Sequence, residues 1–143
     1  MTTKWIYNFI GGVALTVFSA LFGSLDTLFY SFLFLMVIDY ITGMAAAWHT
    51  GTFSSSKGRD GLWKKAGTLL AVAVVYRADV IVPSLAAFIP SLSGWQSPLR
   101  DIVIGAFIVN DIISIFENLS EWGVELPQVI TDKLAQIKPP KNS

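Results

Sequence analysis

The sequence predicts an all-α integral membrane protein, with about four transmembrane helices as two antiparallel hairpins and a short amphipathic helix at the C-terminus. Three observations carry this. Of the 143 residues, 53% are hydrophobic and 14% charged, against about one quarter charged in a soluble domain. Four apolar stretches, residues 5–25, 28–48, 66–89 and 99–119, each come close to the roughly 20 residues a helix needs to cross a bilayer. The basic residues gather at Lys4, between Lys57 and Lys65, and between Lys133 and Lys141, and with four spans all three places fall on one side. The positive-inside rule makes that side the cytoplasm. Arg100 is the one basic residue in the loops expected opposite. There is no cysteine, which excludes disulfides, thiol catalysis and cysteine metal sites.

The first span is nearly free of polar groups. Lys4 followed by an apolar run has the look of a secretory signal, but the run is long for one and no small-x-small cleavage site follows. Residues 23–27 allow only a tight turn, so the first two spans are expected to pack as neighbours. Gly12, Thr16 and Ala20, then Ser19 and Gly23, set small residues four apart on the first span, and Gly43 with Ala47 does so on the second. Such spacing lets helix backbones approach in a membrane.

Residues 49–65 read as a basic, amphipathic loop. Serines 54 to 56 are good helix caps, and Lys57, Arg59, Lys64 and Lys65 are placed to meet anionic lipid headgroups, with Phe53, Leu62 and Trp63 beside them. The plain reading, a loop whose charges only hold it inside, also fits. The third span is marginal. About nine Leu, Ile and Val residues gain about 0.3 to 0.6 kcal/mol each, against about 2.5 to 3.5 for a central Arg or Asp. With Pro83 and Pro90 limiting it, a helix from Ala66 to about Val82 is expected, and a three-span alternative puts the basic tail on the wrong side. After residue 119, Leu126, Val129, Ile130, Leu134 and Ile137 recur at helical spacing. Residues 120–143 thus form a cytoplasmic tail whose helix is too short to span, ending in a disordered 139–143. Trp5, Tyr7, Trp48, Trp63 and Trp95 sit near span ends, as interfacial aromatics do.

Charge at depth is the functional signal. The second span holds Asp39, the third Arg77 and Asp79, and the fourth Asn110 and Asp111, with Glu117 and Asn118 near its end. Such groups normally face protein or water. Asp39 lies about nine residues from the inner end of its span, and Arg77 about eleven from the inner start of its own. Their depths agree, which predicts an Asp39–Arg77 pair and a larger cost for Arg77→Ala than for Asp79→Asn. Asp79, Asn110 and Asp111 are then left to face water, along a pore or proton path. Packing around Arg77 without a path is the alternative. His49 has no metal-ligand spacing around it, no nucleotide or nucleophile motif is present, and no cofactor, enzyme activity or nucleic-acid partner is expected.

Taken in order, several fragments resemble the bacteriophage holin family, which includes holins linked to toxin secretion. They are Val37-Ile38-Asp39-Tyr40-Ile41-Thr42-Gly43, then residues 54–67, a short apolar span ending near Asp79, Ile108 to Leu119 with Asn110, Glu117 and Asn118, and finally Gly123 and Leu126-Pro127. The likeness runs from about Leu35 to Lys138, and departs from the family pattern at Arg77 and Asp111. It implies a protein that oligomerises in the bacterial cytoplasmic membrane and forms lesions or pores through which an endolysin or toxin passes, ending in host lysis. Its partners would be copies of itself, the bilayer and, functionally, that endolysin or toxin. A small proton-coupled transporter or ion channel working through Asp39 is the alternative, as is a non-conducting assembly protein that docks a soluble partner on its C-terminal helix.

Overall fold

A computed structural model describes residues 2–94 and 98–137. It is all-helical in those residues: α1 Thr2–Phe22, α2 Thr27–His49, α3 Ser55–Leu85, a 3-10 turn at Pro90–Leu92, α4 Leu99–Glu121 and α5 Gln128–Ile137. The first four helices are each long and apolar enough to cross a membrane. Trp95, Lys138, Lys141 and the tail expected to be disordered lie outside the described residues.

Local signals set the boundaries. Gly23 adopts φ 82°, a left-handed conformation open to glycine, and its N–H bonds back to Ser19 to end α1. Asp26 then caps α2, its Oδ1 accepting from the Phe29 N–H at 2.9 Å. Ser54 caps α3 in the same way, accepting from the Lys57 N–H at 3.1 Å. This last cap corrects the sequence reading. The basic segment predicted as a loop is the first three turns of α3, which starts at Ser55 instead of Ala66 and runs to Leu85, past Pro83. The proline helps to end it there, because it has no N–H to give the Asp79 carbonyl and the helix closes two residues later.

The core is a three-helix bundle in which α4 packs most extensively on α2 and next on α3. Phe29, Phe32, Val72 and Ile104 are fully buried at its centre. Rings of Phe22, Phe29, Phe32 and Phe107 follow one another at centroid spacings of 5.4, 6.0 and 6.2 Å. Lipid is as apolar as these side chains, so close packing and dispersion hold them together more than escape from water does.

The expected side-by-side pairing of the first two helices is not found. α1 meets α2 only around the turn, where Phe18 and Phe22 contact Phe29, and it rests its C-terminal end on α3, where the Tyr76 ring fills the space beside Gly23. A mostly apolar helix with no charged group in its middle gains little from a protein neighbour over lipid. Trp5, Phe9 and most other large side chains of α1 are exposed, and Gly12 has no neighbour within 4 Å of where a Cβ would stand. In contrast, Gly43 lies against Asn118 of α4, where a Cβ would stand 3.4 Å from its Nδ2, and Ala47 is buried one turn on.

Candidate functional site

Two cations, half-buried Lys65 and buried Arg100, organise the polar groups. Lys65 reaches from α3 to both neighbouring helices, its Nζ 2.5 Å from Asp39 Oδ2 of α2 and 2.7 Å from Asp111 Oδ1 of α4. Each of the three residues stands ten positions from the end of its helix: Asp39 before His49, Lys65 after Ser55, Asp111 before Glu121. At about 1.5 Å per residue that is a common level about 15 Å along each helix. Asn118 extends the centre, its Nδ2 lying 3.2 Å from Asp39 Oδ1 and 3.2 Å from Thr42 Oγ1. The Thr42 hydroxyl can accept there because its own proton goes to the Ile38 carbonyl at 2.9 Å.

The depth match predicted for Asp39 is present, but its cation is Lys65, not Arg77. With α3 starting at Ser55, Arg77 lies twelve residues beyond Lys65, about 18 Å further along. It is exposed and reaches only the Ala20 carbonyl, at 3.4 Å. Asp79 does not face an open path either. Its Oδ2 accepts from the Arg100 backbone N–H at 2.8 Å, capping α4, whose own cap position is Pro98 with no side-chain acceptor. Asp111 is buried in the ion centre, while Asn110 is exposed beside it and Glu117 is half-buried. Lys65 is likewise withdrawn from the lipid-facing basic set, whereas Lys57, Arg59 and Lys64 remain exposed.

Arg100 is the second organising cation, only 6% exposed. It joins the neighbouring ends of four helices. Nε donates to the Phe22 carbonyl at 2.7 Å and Nη2 to the Ser24 carbonyl at 2.6 Å, satisfying groups freed where α1 ends. Nη1 contacts Asp26 at 3.1 Å and Asp101 at 2.7 Å, and the guanidinium lies 5.6 Å from the centroid of Phe29. Hydrogen bonds from Ser24 and from the Phe29 N–H, with the Arg100 charge, lower the Asp26 pKa from 3.8 to about 2. Sequence reasoning counted Arg100 only as a loop charge. The signals that could have found it were Asp26 in the facing turn and Asp101 next to it.

A cleft of about 620 Å³ runs beside the ion centre between α2, α3 and α4. Asp39, Lys65, Asp111 and Asn118 line it, as do Asn110, Ser114 and Thr68, and Lys57, Asp60, Lys64 and Glu121 stand toward the helix ends. Gly58 and Gly61 of α3, too scattered for a nucleotide motif, let Met44 and Tyr40 of α2 lie close, at 3.2 and 3.4 Å from where a Cβ would be. Among the described residues no group of His, Asp or Glu is arranged to hold a metal ion. His49 sits at the end of α2 with its ring 3.7 Å from the Cβ position of Gly123.

The chain is similar to an uncharacterised protein of Listeria innocua, 34% identical over 114 residues that make up 80% of this chain and 74% of the relative. A protein described as a probable holin, from Bacillus phage phi105, is 34% identical over 106 residues, 74% of this chain and 70% of that protein. A 14.9 kDa protein of Clostridium perfringens is 28% identical over 135 residues, 92% of this chain and 95% of the relative. No solved structure matches. The pattern that defines the bacteriophage holin family matches residues 16–139, taking in the ion centre, the Arg100 knot and the cleft, and the chain belongs to that family.

Proposed function

We propose that this holin-type membrane protein assembles with copies of itself in the bacterial cytoplasmic membrane and opens lesions through which an endolysin or toxin leaves the cell. The observation that carries the reading is α1. Within a family that associates with membrane lipid and typically oligomerises, it presents apolar surface on nearly every side and leaves Gly12, Thr16 and Ala20 on an uncovered face. Small residues four apart suit close contact between helices of separate chains. Both termini lie on the cytoplasmic side in this reading, with residues 120–143 as a cytoplasmic tail. Arg100, the basic residue on the other side, is consumed by Asp26 and Asp101, while Lys57, Arg59 and Lys64 stay available to anionic lipid. The protein acts without catalysis of its own.

Induced expression in a bacterium should stop growth and collapse the membrane potential abruptly, with release of a co-expressed muralytic enzyme. Steady growth at high membrane levels of the chain would sink the proposal. The ion centre favours a second reading, a small cation channel or proton-coupled transporter. Saturable uptake into vesicles that is lost in Asp39→Asn, without lysis, would select it.

A further inference from the structure

The cleft and the core beyond it form one seam. On α3 the cleft face recurs as Lys57, Gly61, Lys65 and Thr68, and on α4 as Asn118, Ser114, Asp111 and Phe107, the spacing of a helix face. From Lys57 to Thr68 is eleven residues, about 16 Å of helix. One turn further on the same faces stand Val72 and Ile104, both fully buried with Phe32 of α2. Past these, Asp79 and the Arg100 N–H close the seam.

The floor of the cleft has an unmet requirement. The Asp111 side chain is 5% exposed, and although Oδ1 holds Lys65, Oδ2 has no hydrogen-bond donor in the protein. A buried carboxylate oxygen left bare is costly, and a donor that serves it has to be small enough to arrive by the cleft. Charge favours a cation. At the mouth Lys57 and Lys64 offset Asp60 and Glu121, but at the floor one ammonium stands between two carboxylates.

We propose that this cleft is a one-sided aqueous vestibule that admits water and small monovalent cations as far as Asp111, and that Val72, Ile104 and Phe32 stop them there. It deepens the holin reading by giving each chain the first half of an ion path, ending on an apolar constriction of the kind that excludes water.

The native chain has no cysteine, so single replacements report access directly. Asn110→Cys and Ser114→Cys place a thiol in the vestibule, Val72→Cys in the plug, and Val109→Cys on a surface that is 54% exposed but outside the cleft. In sealed vesicles of either orientation, a membrane-impermeant cationic thiosulfonate should modify the two vestibule thiols from one face only, the face carrying the start of α3. It should react about tenfold faster than an anionic reagent of the same size, the discrimination that one net negative charge about 6 Å away exerts at the dielectric of water. Val72→Cys and Val109→Cys should stay unmodified. Vestibule thiols as inert as Val109→Cys, labelling from both faces, or an anionic reagent reacting as fast would each overturn the proposal. Thr68→Cys on the facing helix repeats the test if either vestibule variant fails to accumulate. Labelling is scored before any loss of membrane potential, so a labelled chain that never permeabilises refutes the holin reading alone, and a lytic chain with inert thiols refutes the vestibule alone.

Discussion

Lys65, half-buried, and Arg100, buried, are both cations set among carboxylates, yet they serve their helices in different ways. Lys65 is a point charge whose partners are two side chains on two other helices at one level. Arg100 spreads a planar fork over two backbone carbonyls, two carboxylates and an aromatic face. The lysine centre therefore holds three helices in register through charge, and its removal leaves bare carboxylates in a low-dielectric setting. The arginine knot finishes helix ends, and two of its contacts satisfy backbone carbonyls freed where α1 ends. Mid-helix charge is held by pairing, and helix-end charge by capping.

The comparison breaks first at Lys65. Lys65→Met should cost about 3–5 kcal/mol, the range for orphaning a buried charge, seen as unfolding at lower SDS fraction in mixed micelles by circular dichroism. Adding Asp39→Asn and Asp111→Asn should recover most of the loss, and no recovery would mean the lysine acts through packing alone. Arg100→Lys should cost about 2–4 kcal/mol in the same titration, because an ammonium cannot reproduce the fork and charged hydrogen bonds are worth about 1.5–3 kcal/mol each.

Smaller effects separate the residues that sequence reasoning ranked the other way. Asp79→Ala should lower stability by about 1 kcal/mol, the usual worth of a helix cap, since the acceptor for the Arg100 N–H is removed. Arg77→Ala, exposed with one long contact to a carbonyl, should change it by less than about 0.5 kcal/mol. The least effect is that of pH on the knot. The Asp26 pKa is depressed from 3.8 to about 2, so its contribution is fully present above 3.8 and is lost as pH falls from there toward 2. The melting-temperature gap between the native chain and Asp26→Asn should be constant from pH 5 to pH 8 and close on acidification through that window.

Much of the fold was legible because apolar length dominates it: α2 and α4 lie within a few residues of their predicted spans. The level of Asp39 was legible too, since counting residues along a helix gives depth. Its partner was not. Lys64 and Lys65 read alike as loop charges, yet once Ser54 caps a helix they point about 100° apart, one exposed and the other in the core. Taking the cap at its word would have put Lys65 ten residues deep. The detachment of α1 had no signal in its composition, because a lipid-facing apolar helix and a protein-facing one look the same.

Because Asp39, Lys65 and Asp111 share one level, the triad works as a detent. Sliding any one of the three helices by a single residue, about 1.5 Å along and about 100° around, parts the ammonium from a carboxylate before a new acceptor comes into reach. Gradual shear between these helices is thereby blocked. They travel as a single rod.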